Sequence, residues 1–164
     1  MDRLKGMDKK KAAGLDGISP KQLDLCFSHS PLSRFLLFTF FNLMHAYSCW
    51  PENWNVLRIV PVPKGVPSPN PNEWRPVHVV NPLAKLFGLL MDDRVRSQSR
   101  FDERQVGFRK GVGTREGIGA VVGLTQSCRK KKRALLGGFV DFSKAFDSIP
   151  RDKLLVKLEK EGIQ

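Results

Sequence analysis

The stretch Val56-Leu57-Arg58-Ile59-Val60-Pro61-Val62-Pro63-Lys64-Gly65, continued by Trp74-Arg75-Pro76-Val77-His78-Val79-Val80, sets the fold class. Val56, Leu57, Ile59, Val60 and Val62 make a short β-branched and apolar run that ends in Pro63-Lys64-Gly65, which reads as a strand entering a turn. Residues 65–72 carry three prolines and read as a loop, and Trp74 to Val80 reads as a second strand, antiparallel to the first if the loop acts as a hairpin connection. On both sides the pattern turns helical. Ser19-Pro20 and Ser30-Pro31 place a capping hydroxyl before a proline at the first helical position, and the second of these helices runs towards Ser48. Asn81-Pro82 repeats the signal, followed by Leu83, Leu86, Phe87, Leu90 and Met91 at helical spacing, with an end expected near Arg100.

Further out, Gly107 to Gly117 is glycine-rich and basic and cannot be regular throughout. Thr114 to about Ser127 reads as a helix weakened by Gly117, Gly119 and Gly123. Ala134 to Phe142 is an apolar run read as a buried strand. Pro150 opens a last helix with Leu154, Leu155 and Leu158 on one side and Gly162 as its stop. The order helix, helix, strand, strand, helix, helix, strand, helix is that of an α+β chain.

The chain has 164 residues, 41% of them hydrophobic with 11 Phe, enough for the core of one domain and too apolar for wholesale disorder. Three Cys without a repeating spacing make no disulfide framework, and Met1-Asp2-Arg3-Leu4-Lys5 lacks the apolar core of a secretory signal. An intracellular location, nucleus or cytoplasm, is therefore expected. Leu32 to Tyr47 is rich in Phe and Leu but interrupted by Arg34, Asn42 and His45, short of the roughly 18 apolar residues of a spanning helix. It reads as a core helix, and no membrane partner is expected.

Lys and Arg number 28 against 16 Asp and Glu, a net charge of +12. The excess is clustered in Lys9-Lys10-Lys11, in Arg129-Lys130-Lys131-Lys132-Arg133 and between Arg94 and Lys110, where six basic residues meet two acidic ones. Each run alone could be a solvated face; three on one short chain point to a polyanion, with nucleic acid the leading class.

The sharpest local feature is Phe139-Val140-Asp141-Phe142-Ser143-Lys144-Ala145-Phe146-Asp147. A carboxylate at a strand end, beside turn carbonyls, suits a divalent cation. By spacing alone Asp141 could equally be a turn carboxylate and Asp147 a helix cap. Cys26, His29, His45 and Cys49 have spacings suggestive of zinc, but they lie on or beside apolar helices rather than in turn-rich hairpins. The glycines at 111, 113 and 117 miss the dinucleotide-binding spacing by one position.

Asp141 to Asp147 closely resembles motif A of reverse transcriptases, specifically those of non-LTR, LINE-type retrotransposons. Ala13-Gly14-Leu15-Asp16-Gly17-Ile18 resembles the Pro-Gly-Pro-Asp-Gly-Ile signature that opens these domains, with Ala13 and Leu15 in place of its prolines. Trp54 with Ile59 to Gly65 resembles fingers motif 1. Trp74-Arg75-Pro76-Val77 with Pro82-Leu83-Ala84-Lys85-Leu86-Phe87 resembles motif 2, and Gln105-Val106-Gly107-Phe108-Arg109-Lys110-Gly111 resembles the next signature.

The resemblance implies a fingers region over about residues 1–133 and the start of a palm over about 134–164. It also implies RNA-templated DNA synthesis by two-metal phosphoryl transfer in a full-length parent. Asp141 would be a catalytic, metal-ligating carboxylate with the carbonyl of Phe142 beside it. Phe146 would be the steric gate that leaves no room for a ribose 2′-hydroxyl. Lys64 and Arg75 would clamp the triphosphate, and Gln105, Gly107, Phe108, Arg109 and Lys110 would meet nucleic acid. The implied partners are an RNA template, a DNA primer and deoxynucleoside triphosphates; the implied cofactor is Mg²⁺, or Mn²⁺ in its place, and only in a complete domain.

The family's Tyr-Xaa-Asp-Asp motif has no counterpart, since the only Tyr is Tyr47 and the only Asp-Asp pair is Asp92-Asp93. The rest of the palm and the thumb are expected to be missing, and the chain alone is expected to be inactive. With one palm strand only, its edges would stay unpaired, which predicts marginal stability and aggregation. The alternative is a non-catalytic nucleic-acid-binding remnant or domesticated module built on the basic runs and the Arg109 loop.

Overall fold

The structure is a computed structural model that describes residues 2–142, 145–146 and 148–163. It is mixed α and β: α1 (Asp2–Lys5), α2 (Pro20–His29), α3 (Pro31–Ala46), β1 (Arg58–Pro63), β2 (Trp74–Val79), α4 (Pro82–Gln98), α5 (Thr114–Lys130) and α6 (Arg151–Lys160). The chain divides into two compact units, Met1–Arg94 and Val95–Gln164.

In the first unit the expected caps form. Ser19 accepts from the Gln22 amide while the Gln22 side chain accepts from the Ser19 amide at 2.7 Å, closing a capping box ahead of Pro20. Ser30 accepts from the Ser33 amide ahead of Pro31, and Asn81 accepts from the Leu83 amide at 3.0 Å ahead of Pro82. The short α1 lies where no element was expected. Its Leu4 is buried and joins Met7, Leu23, Leu37, Phe41, Met44 and Leu86 in one core. Leu37, Phe41 and Met44 share a stripe of α3 at spacings of four and three, and Phe41 meets Phe87 at 5.3 Å between ring centroids. Trp54 bridges Phe40 and Phe87 at 6.2 Å from each. Phe35 and Phe38, on a helix expected mainly in the core, are 64% and 68% exposed, because only one stripe of α3 meets α1, α2 and α4.

The hairpin is antiparallel, running in register from Arg58 opposite Val79 to Pro63 opposite Trp74. The amide of Lys64 extends the ladder to the Glu73 carbonyl at 2.8 Å. Pro61 faces Pro76 across it; a two-stranded ladder has two edges, so the missing amides are tolerated. The Trp74 indole donates to the Ser68 carbonyl at 2.7 Å and folds the proline-rich loop back over the strand.

In the second unit α5 forms despite its three glycines, and one has a steric reason: a Cβ at Gly117 would meet the Val106 side chain at 3.3 Å. Gly162 ends α6 as expected, with φ +77°, while the Gly162 and Ile163 amides return to the Glu159 and Leu158 carbonyls, a Schellman end. The strand expected over Ala134 to Phe142 does not form; these residues have no regular structure and are exposed, Leu136 at 96% and Phe139 at 92%. A strand needs a partner edge, and among the described residues β1 and β2 pair only with each other. Gly137-Gly138 further lowers the propensity of the run to stay extended unaided. Among the described residues no helix is long and apolar enough to cross a membrane.

Candidate functional site

The candidate residues fall in both units, and each group is described within its own. Side chains alternate across a strand, so Val62, its partner Arg75 and Lys64 two residues on from Val62 share one face of the hairpin. Lys64 and Arg75 are both exposed. The Lys64 ammonium donates to the Asn72 carbonyl at 2.7 Å, which ties it to the loop. Further along the chain, Val77, His78, Val79 and Val80 border a cavity of about 630 Å³, whose lining also includes Lys11, Lys85 and Leu89. Two exposed cations on one hairpin face suit a phosphate-bearing ligand.

Residues 13–18 form a turn rather than a binding element. Gly14 packs so closely that a Cβ would lie 2.9 Å from the Asp16 carboxylate and 3.0 Å from the Asn81 Cα. Asp16 accepts from the Ile18 amide at 3.0 Å and from the Asn81 side chain. Asn81, buried, thus links the turn to the start of α4. Sequence reading found Asn81 only as a cap; its tie to Asp16 spans 65 residues and leaves no local signal. Asp93, half of the only Asp-Asp pair, is bound to the Arg3 guanidinium, and this hydrogen-bonded carboxylate raises the pKa of Arg3 above its ordinary value.

In the second unit the Gln105 to Lys110 loop is ordered from within. One Arg109 nitrogen, Nη1, donates to the carbonyls of Asp102, Glu103 and Gln105 at 3.1, 3.3 and 3.3 Å. The Gln105 side chain donates to the Gly107 carbonyl at 3.3 Å. Arg109 and Gln105 therefore shape the loop, while Phe108 and Lys110 face solvent. Phe108 has φ +58°, its carbonyl accepts from Arg96, and its ring meets Phe146 edge to face at 6.1 Å and 89°.

Asp141 and Phe142 are exposed in the irregular stretch that precedes this contact. Ser143, Lys144 and Asp147 of the same phrase lie outside the described residues. A carboxylate and a backbone carbonyl are oxygen donors of the hardness Mg²⁺ prefers, but they are two where about six are needed. Among the described residues no group of three or more His, Cys, Asp or Glu side chains could hold a metal ion, so these residues alone do not build the cage.

The family model for reverse transcriptase (RNA-dependent DNA polymerase) matches residues 62–164. The chain is 25% identical, over 98% of its length, to the "probable RNA-directed DNA polymerase from transposon BS" of Drosophila melanogaster. It is 26% identical, over 98% of its length, to the Pol polyprotein from the type-2 retrotransposable element R2DM of the same fly. A third relative, the Pol polyprotein from the type-1 retrotransposable element R2 of Nasonia vitripennis, is 24% identical over 99% of the chain. The chain spans 18%, 15% and 15% of these relatives' lengths.

Proposed function

Since the chain belongs to the reverse transcriptase (RNA-dependent DNA polymerase) family, we propose that it is the fingers region and the opening of the palm of a non-LTR retrotransposon polymerase. The observation that carries this reading is the extent of the family match. Residues 62–164 include every candidate: Lys64, Arg75, Gln105, Gly107, Phe108, Arg109, Lys110, Asp141, Phe142 and Phe146.

In the whole polymerase, Lys64 and Arg75 hold the triphosphate of an incoming deoxynucleotide from one face of the hairpin, where two cations offset the charge on the transferring phosphate. Lys110 neutralises a phosphate of the template–primer, and Arg109 keeps the loop in the shape that presents it. Phe146 lies under the sugar. Asp141 supplies one carboxylate, and the Phe142 carbonyl one oxygen, to divalent metal held mainly by residues elsewhere in the polymerase. Template, primer and deoxynucleotides are the partners of that whole, inside the cell.

The test is binding of dATP with Mg²⁺ to the purified chain. Lys64→Ala and Arg75→Ala are each expected to weaken it about tenfold, the size of a charge-assisted hydrogen bond. Unchanged affinity in both variants overturns the clamp. Primer extension by the chain alone is expected to be absent; measurable extension on a homopolymer template overturns the incompleteness of its metal site.

One observation favours the second reading, a non-catalytic nucleic-acid-binding module. Arg129-Lys130-Lys131-Lys132-Arg133 stand exposed in a row at the end of α5, a phosphate-tracking surface that needs no metal. Under that reading RNA binding is strong and salt-dependent while dATP does not bind at all.

A further inference from the structure

Phe108 combines three features that rarely meet at one residue. It is a bulky, non-glycine residue in the left-handed region, with φ +58°, a conformation that costs about 1–2 kcal/mol for a side chain of this kind. It gains nothing from burial, since it is 77% exposed. And the surroundings over-determine it: Arg96 donates to its carbonyl, and Arg109 ties down the three carbonyls of the turn just before it. Arg96 and Arg109 thus fix the backbone on which this exposed ring is carried.

The ring's neighbour is Phe146. The two ring centroids are 6.1 Å apart with planes at 89°, the edge-to-face geometry in which the positive edge of one ring meets the negative face of the other. Phe146 is itself 78% exposed and sits in a turn rather than in a helix or strand. An exposed side chain on such a turn would otherwise sample its rotamers freely. Among the described residues, the ring of Phe108 is the aromatic partner that limits this sampling.

We infer that Phe108 is a positioning residue for Phe146, and that sugar selectivity in nucleotide binding is set by the pair rather than by Phe146 alone. The inference rests on the reading of Phe146 as the ring beneath the sugar. A bulky ring excludes a 2′-hydroxyl only while it stays in one place. A ring free to swing leaves room for a ribose part of the time and loses discrimination in proportion. In this role Phe108 acts through the orientation of its neighbour.

The experiment measures the ratio of ATP to dATP dissociation constants, with Mg²⁺, for the full chain and four variants. Phe108→Ala and Phe108→Leu are expected to lower the ratio about two- to tenfold, the range an edge-to-face pair is worth. The affinity for dATP itself should stay within about twofold. Phe108→Tyr keeps the ring edge and retains the wild-type ratio. Phe146→Ala abolishes the preference.

A ratio that falls with Phe146→Ala but is unmoved by Phe108→Ala overturns the role of Phe108 and leaves the gate standing. A ratio unmoved by Phe146→Ala, or a wild-type chain with no preference for dATP, overturns the gate and this inference with it. Aromatic NMR gives an independent reading without nucleotide. The Phe146 ring signals of the free chain should shift in Phe108→Ala and not in Phe108→Tyr, and the absence of that shift overturns the contact.

Discussion

The two units differ in what holds them together. Met1–Arg94 holds all seven residues of the hydrophobic core, drawn from α1 and its following turn, α2, α3 and α4, together with the Phe40, Phe41, Trp54 and Phe87 cluster. In Val95–Gln164 a single hydrophobic residue among those described, Ile163, is buried. Yet the second unit carries Asp141, Phe146 and the Arg109 loop. Its α5 and α6 have no buried residue, and its apolar run 134–142 lies open. The first unit is held by burial; the second is held by helix propensity, caps and a net of side-chain bonds to backbone carbonyls, which fix local shape without making a core. The proposed metal-ligating and sugar-facing residues therefore stand on the weaker support, and the first unit holds the cationic hairpin on a firmer one.

The largest effect expected from this contrast comes from equal truncations in the two units. Phe41→Ala should destabilise the first unit by about 3–5 kcal/mol, whereas Phe139→Ala should stay within about 0.5 kcal/mol, as for an exposed residue. Chemical denaturation measures both, followed by Trp fluorescence for the first unit, which holds Trp50, Trp54 and Trp74, and by far-UV circular dichroism for the helices of the second, and comparable losses would break the comparison. Gly14→Ala comes next. The added Cβ meets backbone at Asn81 and ring at Pro82, so a loss of about 1–3 kcal/mol is expected in the same measurement. Wild-type stability would show that the turn gives way.

Smaller effects sharpen the picture of the second unit. Arg109→Ala removes the donor from three carbonyls and should open residues 102–110 to hydrogen exchange while the first unit is unaffected. Lys110→Ala should leave exchange alone and lower the salt slope of RNA binding by about one. Equal exchange in the two variants would return Arg109 to the solvent-facing set. The smallest effect concerns acid. Lys9, then Ser28, hydrogen-bond the Asp24 carboxylate and hold its pKa below the ordinary aspartate range. A pKa lowered by folding contributes stability at pH above the ordinary value of about 4, and that contribution is lost as pH falls through the depressed one. The first unit should therefore soften slightly below about pH 4, and Asp24→Asn should flatten that slope.

Much of this was legible because it is local. Ser19, Ser30 and Asn81 satisfy amides two or three residues away, and Gly162 supplies a positive φ at a helix end, so each can be read from a few neighbouring letters. The hairpin was legible for the same reason, through β-branched runs either side of a proline-rich loop. The strand over 134–142 was misread because an apolar run states a preference for burial without supplying the surface that would bury it. The candidate residues could be picked out by phrase. That Arg109 is turned onto its own loop, and that Phe108 leans on Phe146, could not.

Taken by itself, the order of residues determined where most helices begin and end, where the chain turns back on itself, how much positive charge it carries and to which family it belongs. These rest on composition or on contacts a few residues apart. Tertiary structure alone decided that Leu37, Phe41 and Met44 rather than Phe35 and Phe38 face inward, that α1 exists to bring Leu4 to them, and that Asp16 reaches Asn81. Such outcomes depend on partners far along the chain, because burial and pairing are properties of two surfaces and each stretch of sequence describes only its own.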